Sequence, residues 1–246
     1  MYSFSEPNDL RIAVVILGTL VFFYCYYYFA HSSFLEKAVQ KRTAGKSREL
    51  WLFLLRKLSG FVFLGLFPAL FYMVLLEGSF EKFGFTLNHF SVNFFIIFGL
   101  VFIIALFLFI RHKKSSTQNT LQMKKVQWGS SLFAFNVLGW SLYLIAYEFL
   151  FRGILLFECY ESFGFWPAIA INITIYSAIH MVSGKDQALG ALIFGAIACF
   201  LTLTRGTVLI PVFMHIALSG FSDYYSIRLN PEIGFIKYNP IKFREL

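Results

Sequence analysis

The chain of 246 residues is 58% hydrophobic and only 14% charged, with a formal net charge of +8 and a mean hydropathy of +0.68. A soluble domain carries about 45–50% apolar and about 25% charged residues, so composition excludes an ordinary soluble globule, a disordered chain and a disulfide-rich secreted module. The apolar runs are unbroken over roughly 18–25 residues, where a transmembrane β-barrel would alternate in segments of about 10. The fold class that remains is all-α, a polytopic membrane helix bundle.

In chain order, seven spans are predicted, at roughly 11–30, 58–77, 92–110, 132–158, 165–182, 187–203 and 207–226. The first is preceded by Glu6 and Asp9 instead of a basic segment, and no small-residue cleavage site follows. It reads as a retained span, not a signal peptide. From Phe34 to Lys57 two readings stand: a basic amphipathic helix lying at the interface with Trp51 as anchor, or a solvated loop. There is no internal repeat, no Pro/Gly-rich linker and no soluble domain.

The basic residues sit between spans. Lys37, Lys41, Arg42, Lys46, Arg48, Arg56 and Lys57 fill the loop 31–57. Arg111, Lys113, Lys114, Lys124 and Lys125 fill 111–127, and Arg228, Lys237, Lys242 and Arg244 follow the last span. The alternate loops hold Glu77, Glu81 and Lys82, then Glu158 and Glu161, then Arg205 alone. Seven spans put every basic loop on one side. The positive-inside rule then predicts an outer N-terminus and a cytoplasmic C-terminus in a cell inner membrane. The charge is that of a chain facing a lipid bilayer, so no nucleic-acid partner is expected. Cys25, Cys159 and Cys199 are far apart, with no CxxC spacing, and suggest neither a zinc site nor a disulfide framework.

An ionisable residue inside a span is costly and marks a candidate site. Span four holds Glu148 and Arg152, span five His180, and span seven His215, Ser219 and Asp223. Glu148 and Arg152 are spaced i,i+4, so they share a helix face and can pair. Counted from the outer ends at about 1.5 Å per residue, Glu148, His180 and His215 can share one layer near the middle of the membrane. Each alone is explained by polar contacts that hold helices together; three on three spans favour a site. Asp223, near the cytoplasmic end, reads as structural. A carboxylate and two imidazoles suit water activation, metal binding by Glu148, His180 and His215, or a proton relay. Composition and spacing do not separate these three.

The local words carry a resemblance. Glu148-Phe149-Leu150-Phe151-Arg152-Gly153, then Tyr176-Ser177-Ala178-Ile179-His180, then Thr204-Arg205-Gly206-Thr207 leading through Pro211 to His215-Ile216-Ala217-Leu218, resemble the CPBP (Abi) family. These are the CAAX prenyl proteases and bacteriocin-processing enzymes, with EExxxR, FxxxH and HxxxN or HxxxD on successive membrane helices. The resemblance covers about 143–226; residues 1–130 match only in being apolar and helical. It implies an intramembrane endopeptidase of glutamic type, acting without a cofactor on a membrane-associated peptide. In that family the first Glu and first His activate water, the second His and the Asn stabilise the oxyanion, and the second Glu and the Arg order the site. Catalytic positions would be Glu148, His180 and His215, supported by Tyr147, Arg152, Tyr176 and Ser219.

Two positions depart from the pattern: the first Glu is Tyr147 and the Asn is Ser219, while Tyr176 is a mild change from Phe. With an unperturbed pKa of about 10, Tyr is a poor general base at neutral pH. The neighbour Glu148 is turned about 100° away around a helix of 3.6 residues per turn. The alternative to a peptidase is therefore a catalytically impaired pseudoprotease that binds or scaffolds a membrane partner. The resulting organisation is 1–130, N-terminal membrane helices with basic cytoplasmic loops; 131–228, core helices of CPBP type; and 229–246, a cytoplasmic tail.

Overall fold

The computed structural model describes residues 7–43, 46–75, 78–87, 90–114, 128–229 and 235–236. Most of the basic loop 111–127 and most of the tail 229–246 lie outside the described residues, as does Glu77.

The first helix, α1 (Pro7–Ala30), starts with a proline, whose missing N–H costs nothing in a first helical turn. It breaks at His31–Ser32, where the Ser32 hydroxyl accepts from the Leu35 N–H and caps α2 (Ser33–Arg42). Next, α3 (Lys46–Phe61) continues through a π-helical turn, Val62–Leu66, into α4 (Phe67–Leu75). The segment 34–57 is thus neither one interfacial helix nor a solvated loop. It is α2 plus the front of α3, and the second long helix begins well before the expected 58. Trp51 is exposed, as an interfacial anchor requires.

After a loop at 78–87 come α5 (Phe90–Lys114) and α6 (Ser130–Glu148). A second π-helical turn, Phe149–Leu155, leads from α6 into α7 (Leu156–Phe163). Gly164, with φ +81°, separates α7 from α8 (Phe165–His180), a conformation that suits glycine. A short 3-10 turn (Met181–Ser183) precedes α9 (Lys185–Arg205), and α10 (Leu209–Leu229) closes the bundle. Gly206 (φ +64°) caps α9 in the left-handed conformation.

Among the described residues, five stretches are long and apolar enough to cross a membrane: 10–42, 48–75, 93–110, 165–183 and 185–205. They correspond to five of the seven expected spans. The other two, 130–163 and 209–229, are helical but outside that set, and they carry Glu148, Arg152, Glu158, His215 and Asp223. The architecture is an all-α membrane bundle in which α10 packs on α5 and α6, α8 on α9, and α3 on α6. One small departure is a parallel pairing of β1 (Trp128–Gly129) with β2 (Phe235–Ile236), so part of the expected tail returns to the start of α6.

The core is centred on the second π turn, whose seven residues are all buried. Phe80, Phe83 and Phe85 from the loop at 78–87 surround Phe149, with ring centroids 5.7, 6.0 and 5.4 Å away. A Cβ on Gly153 would come within 3.0 Å of the Phe83 carbonyl, so a side chain there would force the loop away. The α7 end of this core is tied to α1 by Arg11, whose Nε and Nη2 donate to both oxygens of buried Glu158 at 2.8 and 2.9 Å.

Candidate active site

Glu148 is the last residue of α6 and Arg152 lies in the π turn that follows. Both are fully buried. Arg152 Nη1 stands 3.1 Å from Glu148 Oε2, the expected i,i+4 ion pair. The other oxygen, Oε1, accepts from Nδ1 of His215 on α10 at 2.6 Å. A short charge-assisted bond of this kind fixes the imidazole against the carboxylate. With its proton on Nδ1, His215 presents a lone pair at Nε2.

His180, the last residue of α8, donates from Nδ1 to the Tyr176 carbonyl at 2.8 Å, which likewise frees Nε2. Tyr176 is buried, and the Arg152 guanidinium lies 3.9 Å above its ring centre. The cation is thus held by one carboxylate and one π face. Gly195 on α9 makes room for both: a Cβ there would meet Tyr176 Cδ1 at 3.3 Å and Arg152 Nη2 at 3.5 Å.

Tyr147 stands between the two imidazoles. Its ring is nearly perpendicular to His180 (6.2 Å, 88°) and to His215 (6.0 Å, 83°). Glu148 faces Arg152 and His215, so the two adjacent positions serve different partners, as helical rotation requires. Ser219, one turn beyond His215, is half-buried and makes no hydrogen bond to these residues.

The structure therefore brings Tyr147, Glu148, Arg152, Tyr176, His180 and His215 into one cluster, with Ser219 at its edge. Phe194 completes it, 4.9 Å from the His215 ring and 5.8 Å from the Arg152 guanidinium. Nothing in the sequence distinguishes Phe194 from the other 32 phenylalanines. Asn172 is a polar residue within an apolar run, and the sequence alone gives it no role. The π turn itself has no sequence signal.

Buried polar groups ordinarily have hydrogen-bond partners. Here Tyr147 Oη, Glu148 Oε2 and all three guanidinium nitrogens of Arg152 have none. The Glu148–Arg152 contact has ion-pair distance without hydrogen-bond alignment. These groups could accept a polar guest such as water or a peptide amide. For a metal ion the fit is poor, because Oε1 is taken by His215 and Oε2 by the Arg152 charge. Among the described residues, no three His, Cys, Asp or Glu side chains are grouped as ligands.

Comparison with known proteins agrees with this cluster. A family model described as type II CAAX prenyl endopeptidase Rce1-like matches residues 129–221. No curated protein and no solved structure matches. The matched stretch runs from the start of α6 through the α10 histidine and contains every residue of the cluster. Over residues 129–221 the chain is similar to the type II CAAX prenyl endopeptidase family, and the long apolar helices around that segment are those of a membrane protein.

Proposed function

We propose that the chain is an intramembrane endopeptidase that hydrolyses a membrane-associated peptide with water activated by the Glu148–His215 pair. The observation that carries this reading is the 2.6 Å bond from His215 Nδ1 to Glu148 Oε1. It orients an imidazole whose Nε2 is free to act as a base, the geometry in which a carboxylate supports a histidine in acyl transfer.

In this mechanism His215 Nε2 takes a proton from water, and the hydroxide adds to the peptide carbonyl carbon. Glu148 stabilises the imidazolium, and Arg152 stands 3.1 Å from its other oxygen. As the tetrahedral intermediate collapses, the C–N bond breaks and the imidazolium returns its proton to the leaving amine. His180, with Nε2 also free, is the second group able to move a proton. No step requires a cofactor. The bilayer supplies the substrate laterally, and the loop charges support a cytoplasmic C-terminus in a cell inner membrane.

The test is purified full-length protein in nanodiscs against membrane-anchored peptides, prenylated and unprenylated. Wild type should cleave and Glu148→Gln should not. Undiminished cleavage by Glu148→Gln would end this reading.

A second reading, a pseudoprotease that binds a membrane peptide or protein without cutting it, is favoured by one observation. The Tyr147 ring lies edge-on to both imidazoles, at the position where the family pattern has its first Glu. If wild type is inert and Tyr147→Glu, alone or with Ser219→Asn, cleaves, this second reading replaces the first.

A further inference from the structure

An α-helical carbonyl accepts from the N–H four residues on. In the turn after Glu148 the Phe151 carbonyl instead accepts from the Leu156 N–H, five residues on. The same oxygen takes a second bond, 2.6 Å long, from Nδ2 of Asn172 on α8. Asn172 is in turn fixed from its other side: its Oδ1 accepts from Cys199 Sγ on α9 at 3.1 Å. Phe151, Asn172 and Cys199 are all fully buried. A side chain inserted into the helical ladder is an established cause of a local register change, and single π turns recur at functional sites. This one starts at the residue after Glu148 and contains Arg152.

We propose that Asn172 is a positioning residue for the Glu148–His215 site, its amide holding the Phe151 carbonyl and with it the widened turn that sets Glu148 and Arg152 against His215. Cys199 orients the amide. Without the Cys199 thiol, the side-chain oxygen of Asn172 loses its donor and the amide can rotate away from Phe151. Asn172 touches neither the carboxylate nor the imidazole, so it acts only through the backbone between them. Its effect on rate rests on the peptidase reading; its effect on geometry does not.

The test reads geometry directly. Full-length protein with 15N-labelled histidine is placed in lipid nanodiscs. The Nδ1 proton of His215 is followed by NMR and assigned by its disappearance in His215→Gln. His31, which donates to the Tyr27 carbonyl outside the cluster, is the internal control. In Asn172→Leu, which keeps the volume but cannot donate, the His215 signal is expected to shift or vanish while His31 is unchanged. Cys199→Ala should move it in the same direction, and Cys199→Ser, which restores a donor, should bring it back. An unchanged His215 signal in Asn172→Leu overturns the proposal. If that variant does not assemble, Cys199→Ala decides, and an unchanged signal there overturns it equally. In a parallel cleavage assay, Asn172→Leu should lower kcat about tenfold or more with KM unaltered. An inert wild type would refute the peptidase reading and leave the NMR result standing.

Discussion

Among the described residues, two of the buried polar clusters differ in how they are satisfied. Near one end of α6 and α10, Asp223 accepts from Asn136 Nδ2 at 2.7 Å and from Trp140 Nε1 at 3.1 Å. Beside it, the Lys57 ammonium sits 2.9 Å from the centre of the Trp140 ring and 4.7 Å from that of Tyr143. Two turns away on both helices, Glu148, Arg152 and Tyr147 leave five buried polar atoms without a hydrogen bond. Burying a charge is expensive in either place. In the first cluster two neutral donors meet one carboxylate oxygen, Oδ2; in the second, buried polar atoms of Glu148, Arg152 and Tyr147 are left without a hydrogen bond. A closed network serves to join α3, α6 and α10. An open one is what a reaction with water needs, because the missing partners can be supplied by substrate.

The largest expected effect follows from the open cluster. Glu148→Gln keeps the shape but cannot stabilise an imidazolium, so cleavage should fall by about 10²–10⁴-fold. Glu148→Leu goes further, leaving the Arg152 guanidinium buried without a counter-charge. Its thermal unfolding in detergent should reveal a loss of about 3–5 kcal/mol. If Glu148→Leu is as stable as wild type, the pair is not the buried unit described here.

The closed cluster should respond in the reverse sense. Asp223→Ala removes the acceptor of two charge-assisted bonds and the carboxylate near Lys57, so stability should drop by about 3 kcal/mol. Cleavage by the protein that remains folded should stay within about twofold of wild type, because Asp223 and Glu148 share no hydrogen-bond partner. A rate loss as large as that of Glu148→Gln would erase the distinction between the clusters. Trp140→Phe, which keeps an aromatic ring but deletes the Nε1–H donor together with part of the fused ring, should cost about 2 kcal/mol with the same unaltered rate.

Much of this contrast was legible in the sequence. The i,i+4 spacing of Glu148 and Arg152 follows from helical periodicity, and span lengths allow Glu148, His180 and His215 to share one layer. The structure sets Arg152 and His215 against the two oxygens of Glu148. Asp223 was read as structural from its place near a span end, and its two donors agree. What was hidden depends on relations between helices. Asn172 lies in an apolar run like any helix-joining amide, and only its bond to the Phe151 carbonyl gives it a role. The π turn at 149–155 arises from that insertion, and no local composition encodes it. Phe194 and Gly195 count because α9 lies over Arg152, a packing fact. Over 34–57 the sequence leaves a helix and a loop both open, because charged residues mixed with Trp and Leu fit either, and the structure has helices there.

The smallest expected effect sits between the two imidazoles. Tyr147→Phe deletes one oxygen from the open cluster and nothing else. Tyr147 Oη is buried and has no hydrogen-bond partner, so its removal relieves a desolvated group without breaking a bond. Stability should be unchanged or rise by about 1 kcal/mol. The ring contacts with Phe151 (4.7 Å) and Tyr176 (5.8 Å) are kept, so the imidazoles stay where they are and cleavage should continue at the wild-type rate. A pronounced loss of kcat with normal stability would instead give the phenol a share in the reaction, as a donor to the developing oxyanion. Tyr147 would then be a working substitute for the family's Glu, not a side chain that fills its space.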